Sequence, residues 1–240
     1  MVLKVVLFDF NGVIINDEPI HRKLIDEILL AENLRPATHQ EHQEFCLGRS
    51  DRVCLRTILA HRGRNVSEEY LTKLIENKAI SYRQKLEQLE TLPIYPGVKK
   101  ILDQIQLKGW PLGLVTGAVN GETVSVLKKA GIFEYFQVIV AGDEINTSKP
   151  QPDGYLLAVE RFNNLNPDLQ LQPANCLAIE DTLAGITAAK KAGISVIGIA
   201  HTYPYHFMHR HANWAVDKLS EIDLDRIEVA FARKVDSVGN

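Results

Sequence analysis

Residues 4–12 read Lys-Val-Val-Leu-Phe-Asp-Phe-Asn-Gly, and this stretch decides the fold. Val5, Val6, Leu7 and Phe8 form an unbroken apolar run, which predicts a strand covered on both faces rather than an alternating, half-buried one. The run stops at Asp9 and turns at Asn11-Gly12. A carboxylate delivered at the carboxyl end of a buried strand sits where open α/β sheets place their chemistry. No glycine-rich phosphate loop follows, so Asp9 itself is the group to explain.

Beyond this strand the pattern changes twice. From Asn16 to about residue 90 the apolar residues recur at helical spacing, as in Ile20, Leu24, Ile25, Ile28 and Leu29, and no strand pattern interrupts them. Thr38 and Ser67 are suited to cap helices in this block, and Pro93 and Pro96-Gly97 close it. Strands and helices then alternate. Strands are expected at 111–115, 138–140, 176–179 and 196–199, and helices at 98–107, 121–130, 152–162 and from about 182 to 192. Repeated β-α units imply a doubly wound parallel sheet with right-handed crossovers. The expected architecture is therefore an α/β core, residues 1–15 and 92–240, interrupted by an all-helical insertion over residues 16–91.

Length and composition fit this. A chain of 240 residues with 45% hydrophobic residues can bury a sizeable core, and a net charge of −3 with both signs interspersed offers no basic track for nucleic acid. No apolar stretch is long enough to span a bilayer, and the N-terminal apolar run is too short for a signal peptide. Cys46, Cys54 and Cys176 are odd in number and lack C-x-x-C spacing, so they read as reduced thiols of a cytoplasmic protein. His201, His206, His209 and His211 match no zinc spacing and are expected in a surface loop, while Trp110 and Trp214 are expected to pack beside strands.

The polar residues just past the strand ends carry the functional argument. They are Asp9 with Asn11, Thr116, Glu180 with Asp181, and Lys149 in the loop after the third strand. Parallel strands bring equivalent ends to one edge of a sheet, so these groups should meet. Clustered carboxylates call for a cation, and an all-oxygen donor set favours Mg²⁺. An ammonium and a hydroxyl beside it suit the oxygens of a phosphoryl group, and an aspartate facing phosphorus is a nucleophile. Phosphoryl transfer through an aspartyl-phosphate follows from the residues themselves.

Four motifs sit at these strand ends: Phe8-Asp9-Phe10-Asn11-Gly12-Val13, Val115-Thr116-Gly117-Ala118, Ser148-Lys149-Pro150-Gln151-Pro152-Asp153, and Ile179-Glu180-Asp181-Thr182-Leu183-Ala184-Gly185. In this order, with a helical insertion after the first, the chain resembles the haloacid dehalogenase superfamily of phosphatases, in the subgroup of β-phosphoglucomutase and phosphoglycolate phosphatase. That resemblance implies Asp9 as nucleophile and metal ligand, with the main-chain carbonyl of Asn11, Asp181 and Glu180 completing a Mg²⁺ site. It implies that Thr116, the backbone donors of Gly117 and Ala118, and Lys149 hold the phosphoryl oxygens. The helical insertion would be a cap closing over a small phosphorylated substrate, with His21 and Arg49 on its substrate side, Arg52 being an alternative to Arg49. A monomer or weak dimer is expected.

The sequence departs from the resemblance at Asn11, where the superfamily usually carries the aspartate that serves as general acid and base. An amide cannot shuttle a proton. Asp17, Glu18 or His21 is a candidate replacement, and the implied consequence is slow turnover. The implied activity is hydrolysis of a sugar or short organic acid phosphate. Two other readings stay open: a catalytically quiet phosphate-binding protein, and a phosphosugar mutase, although Leu47 stands where the mutase branch places a cap lysine.

Overall fold

The structure, a computed structural model, describes residues 2–233. Six parallel strands form one sheet: β1 (Val5–Phe8), β2 (Leu112–Val115), β3 (Phe136–Val140), β4 (Cys176–Glu180), β5 (Ser195–Ile199) and β6 (Trp214–Val216), in the order β3-β2-β1-β4-β5-β6. The chain turns one way from β1 to β2 and the other way to β4, so the crevice where the order reverses lies at the carboxyl end of β1.

Strand alternation divides the core in two. Val6 and Phe8 join Leu112, Leu114, Leu177, Ile179, Ile197 and Ile199 on one face. Helices α5 (Val98–Leu107), α6 (Asn120–Lys129) and α10 (Leu224–Arg233) cover that face through Ile101, Leu102, Val126, Leu127, Ile227 and Phe231. Val5 and Leu7 point the other way, onto α7 (Asp153–Leu165), α8 (Leu183–Lys191) and α9 (Tyr205–His211). All four β1 side chains are fully buried, each contributing about 1.5–3 kcal/mol. The sequence reading missed β6 and α10. Three residues of half-buried strand give too short a pattern to see; α10 does follow a cap residue, Asp223, whose Oδ1 accepts from the Arg226 amide at 2.9 Å.

Four helices lie between β1 and α5: α1 (Glu18–Ala31), α2 (His39–Phe45), α3 (Asp51–His61) and α4 (Glu68–Glu87). They share a small apolar interior of Ile25, Leu29, Ile58 and Leu59, extended by Leu55, Leu71 and Ile75. The two connections to the sheet run side by side, bridged between Ile15 and Ile94. Thr38 and Ser67 cap α2 and α4 as expected, Thr38 in a reciprocal box with Glu41.

Glu41 is also the hub of the insertion. Arg62 donates to it at 2.9 and 2.7 Å, Arg35 at 3.2 and 3.3 Å. These bonds, Arg62's first, hold its carboxyl down at about 2 against an ordinary 4.5. A depressed carboxyl contributes stability above its unfolded value and loses it as the pH falls through the folded one. We therefore expect Glu41→Gln to cost about 1.5–3 kcal/mol at pH 7, with the difference from the parent shrinking as pH falls from about 4.5 toward 2. Urea melts across this range check it.

Two expectations are corrected here. Cys46 and Cys54 are not reduced thiols but a disulfide, because the α2–α3 corner brings their Cα atoms to 4.3 Å; Cys176 is free and buried. The histidines do not form a surface loop. His206, His209 and His211 lie on α9, and His201 follows β5 with its ring stacked on Tyr95 at a centroid distance of 3.8 Å. Helix formation after Pro204, and the proximity of Tyr95 across the sheet edge, decide this, and neither is visible in residue spacing. Trp110 is buried as expected, and Trp214, which begins β6, lies beside β5 opposite Ile197 and packs against the core.

Candidate active site

Every strand-end residue singled out in the sequence converges at the β1 crevice. Asp9 is 4% exposed and accepts from Lys149 Nζ at 2.8 Å. The same ammonium donates to Glu180 Oε1 at 2.7 Å and to the Val115 carbonyl at 3.0 Å. Glu180 ends β4 and points to the α7 side, where Tyr155 also donates to it at 2.6 Å. Asp181, one residue on, points the other way and accepts from Thr202 through Oδ2, while its buried Oδ1 has no partner among the described residues.

Three buried carboxylates against one ammonium set the electrostatics. Burial, then repulsion from Glu180, raises Asp9 to about 7 despite Lys149. Burial, with Asp9 and Glu180 close by, raises Asp181 well above the usual carboxylate range. Lys149 is buried too, which works against its charge, but Asp9 and Glu180 outweigh burial and hold it protonated.

One carboxylate oxygen each from Asp9, Glu180 and Asp181 lie within 4.8 Å of one another. The residues fit a hard divalent cation: the donors are all oxygen, the net charge of the cluster is negative, and Asp181 Oδ1 is an orphaned acceptor. Gly12 has a φ of +82°, and a Cβ there would lie 1.9 Å from Asp181 Oδ2, so the turn after Asn11 passes directly against this carboxylate.

Asn11 is held in one orientation. Its Nδ2 lies 3.0 Å from both oxygens of Asp17, a carboxylate with 0% exposure that can only accept, so the amide nitrogen faces Asp17. Oδ1 is left toward Thr116, whose hydroxyl lies 3.5 Å away. Thr116 in turn accepts from the Ala118 amide at 3.0 Å. Tyr82 also donates to Asp17, and His21 Nε2 lies 3.2 Å from it.

His21 Nδ1 faces the Lys78 ammonium at 2.8 Å, and Lys78 pairs with Asp51 at 2.8 Å. Nδ1 must then accept, which puts the ring proton on Nε2, directed at Asp17. The candidate proton shuttles are therefore occupied: Asp17 by three donors and His21 at both nitrogens. Glu18 lies within 3.1 Å of His42.

The loop between α2 and α3 packs over the site. A Cβ on Gly48 would lie 2.5 Å from Thr182 Oγ1, and one on Gly117 would lie 2.9 Å from the carbonyl of Arg49. The Ser50 amide donates to Ser148 Oγ at 2.8 Å. Beneath the loop is a cavity of about 370 Å³ reached by Asp9, Asn11, His21, Arg49, Gly117, Ala118 and Asp181. Arg49 lines it, whereas Arg52 is engaged outside with Glu68 and Thr72, both at 3.0 Å, which favours Arg49 of the two.

Sequence reasoning missed Tyr155, Thr202 and His201. Thr202 was findable, since it follows the carboxyl end of a recognised strand. His201 donates from Nδ1 to the Gly12 carbonyl at 2.8 Å and steadies the turn that carries Asn11. Nothing in the pattern around Tyr155 marks it.

A parallel sheet with an aspartate at the switch point, a lysine beside it and an acidic pair on the next strand defines a hydrolase. The chain belongs to the haloacid dehalogenase-like hydrolase family, which it matches over residues 3–193. It is 29% identical over 231 residues to protein CbbY of Rhodobacter capsulatus, covering 92% of this chain and 95% of that protein. It is 28% identical over 203 residues to a phosphorylated carbohydrates phosphatase of Thermotoga maritima, covering 83% and 87%. Among solved structures, a mutant of CbbY from Rhodobacter sphaeroides, in complex with xylulose-(1,5)bisphosphate, superposes with a TM-score of 0.76 at 26% identity, covering 92% and 96%. A β-phosphoglucomutase from Clostridium difficile shares the fold with a TM-score of 0.83 at 22% identity, covering 97% and 99%.

Proposed function

We propose that this enzyme is a Mg²⁺-dependent phosphatase that hydrolyses a small soluble phosphomonoester, a sugar or short organic acid phosphate, through an aspartyl-phosphate on Asp9. The observation that carries the reading is the pairing of Asp9 with Lys149 at the edge of the cavity under the α2–α3 loop, next to an acid with an orphaned oxygen. The names of the relatives, phosphatases of phosphorylated carbohydrates and of phosphoglycolate among them, support it.

In this mechanism an Asp9 carboxylate oxygen bonds to phosphorus as the bond to the leaving oxygen breaks, and that oxygen, with no acid at position 11, takes its proton on release to solvent. Lys149, the Thr116 hydroxyl and the amides of Gly117 and Ala118 hold the phosphoryl oxygens as charge develops. Asp9, Asp181, Glu180 and the Asn11 carbonyl would hold Mg²⁺, which supplies charge neutralisation across the nucleophile and the phosphoryl group when bound. Residues 16–91 act as the cap, excluding water during the first step, and Arg49 and His21 contact the remainder of the substrate.

Water then cleaves the acyl-phosphate. Asn11 presents a carbonyl oxygen that can orient this water but cannot take its proton, so dephosphorylation is slow. Loss of a positioned base costs about 10²–10⁴ in rate. The same feature disfavours a mutase, which needs two efficient proton exchanges per cycle. It favours, as the second reading, a quiet phosphate-binding protein.

A panel of sugar and short-acid phosphates with Mg²⁺ separates the two. Phosphate release above the uncatalysed rate, lost on chelation with EDTA, is the expected result. Ligand-induced stabilisation with no release from any compound would leave only the binding role.

The cap–core boundary also carries a pH-dependent element. Glu122 on α6 is 1% exposed, and neither carboxylate oxygen has a hydrogen-bond partner among the described residues. Burial raises it to about 7, with Lys78 and His21 opposing and Asp51 and Asp17 assisting. A raised carboxyl contributes stability fully below its ordinary 4.5 and loses it as the pH rises through about 7. Glu122→Gln is therefore expected to match the parent near pH 5 and exceed it by about 1–3 kcal/mol at pH 8, measured by urea unfolding.

A further inference from the structure

The Cys46–Cys54 disulfide spans the α2–α3 loop that packs over the site. Cys46 ends α2 and Cys54 lies in the first turn of α3, and both line the cavity. The bridge ties off the seven residues 47–53 between them. Those residues supply every loop contact with the core described above: Gly48 on Thr182, Arg49 on Gly117, and the Ser50 amide on Ser148. They also include Arg49, which reaches the cavity, and Asp51, which pairs with Lys78. On its far side the bridge is packed among Ile25, Leu29, Ile58 and Leu59, so one end of the fastening is rigid.

We propose that this disulfide is a reversible redox modification site whose state sets the order of the cap loop, and that its co-reactant is a small dithiol. A dithiol thiolate attacks one sulfur of the bridge, most openly Cys46 at 7% exposure against 2% for Cys54, and displaces the other as a thiolate. The second dithiol sulfur then displaces Cys46. Two electrons and two protons pass to the cysteine pair, and the dithiol leaves as its cyclic disulfide. An oxidised dithiol or a peroxide of sufficient strength reverses the step.

Reduction removes the covalent closure of the loop and leaves its docking to one glycine contact, one carbonyl approach and one hydrogen bond. A loop that is no longer ordered in advance must be ordered by the ligand, so binding weakens while the reacting groups on the strands stay in place. This effect on binding rests on the phosphatase reading; the loop's response to redox state does not.

The test uses the whole protein, oxidised or treated with dithiothreitol. Thiol titration after denaturation should find one thiol in the oxidised form and all three in the reduced form. Hydrogen exchange at the Arg49 and Ser50 amides should quicken at least about tenfold on reduction, with α7 and α8 amides unchanged. On a hydrolysed substrate, KM should rise roughly tenfold and kcat change less than about twofold.

Cys46→Ser with Cys54→Ser should behave as the reduced protein and ignore dithiothreitol, while Cys176→Ala should keep the full response. Three thiols after oxidant treatment, or identical loop exchange in both states, would overturn the proposal. Faster exchange with unchanged KM would overturn its link to binding. No hydrolysis in any form would defeat the phosphatase reading, while thiol counts and exchange would still decide the redox site.

Discussion

Replacing Asp9 by asparagine is expected to lower phosphate release by at least about 10⁴-fold, because a neutral amide cannot attack phosphorus. The protein should still fold. Lys149 keeps Glu180 at 2.7 Å and the Val115 carbonyl at 3.0 Å, so its ammonium is not stranded. The substitution also removes one of three crowded carboxylates, which burial and Glu180 already disfavour as a charge. The measurement is twofold: steady-state release, and acid-quench trapping of labelled protein from labelled substrate. The parent should retain label on the Asp9 peptide, since water attack is its slow step, and the variant should retain none. Label that persists in Asp9→Asn would place the nucleophile elsewhere.

The second large effect concerns Asn11 and Asp17 together. Restoring an acid at position 11 alone sets a second carboxylate against Asp17, whose oxygens lie 3.0 Å from the present amide nitrogen. Two buried carboxylates at that distance share a proton, so much of the restored group is committed to the pair. Exchanging the two residues, Asn11→Asp with Asp17→Asn, keeps one amide and one acid, and the hydrogen bond between them simply reverses.

We expect the exchanged variant to gain about 10²–10⁴ in kcat, and Asn11→Asp alone to gain less than about a tenth of that at pH 7. Single-turnover experiments should assign the gain to dephosphorylation rather than to the first step. Equal rates for the single and double variants would show that Asp17 does not constrain position 11.

How much of this was legible beforehand depends on the range of the interactions involved. The β1 run announced its own burial, and parallel topology then brought Asp9, Thr116, Lys149, Glu180 and Asp181 to one edge without any knowledge of contacts. The four-helix insertion was legible because helical periodicity is local. What the residue pattern did not carry were pairings across elements. Cys46 and Cys54 meet because two helices turn a corner at Gly48. Asp17 is consumed by Asn11, Tyr82 and His21, which come from three segments. His201 reaches Gly12 from beyond β5. Whether Asp17 is available as a shuttle was not readable from spacing for this reason, since it depends on residues as far away as Tyr82.

The three contacts that seat the α2–α3 loop share one property: on the loop side each is made by the main chain. Gly48 contributes only its backbone, Arg49 its carbonyl and Ser50 its amide. The side chains of Arg49 and Arg52 take no part in these three contacts. Side chains of this loop can therefore change without disturbing these three contacts, provided the glycines at 48 and 117 and the bridge that closes the loop remain. How the loop is docked and which side chains it carries are thus separable traits of one short segment.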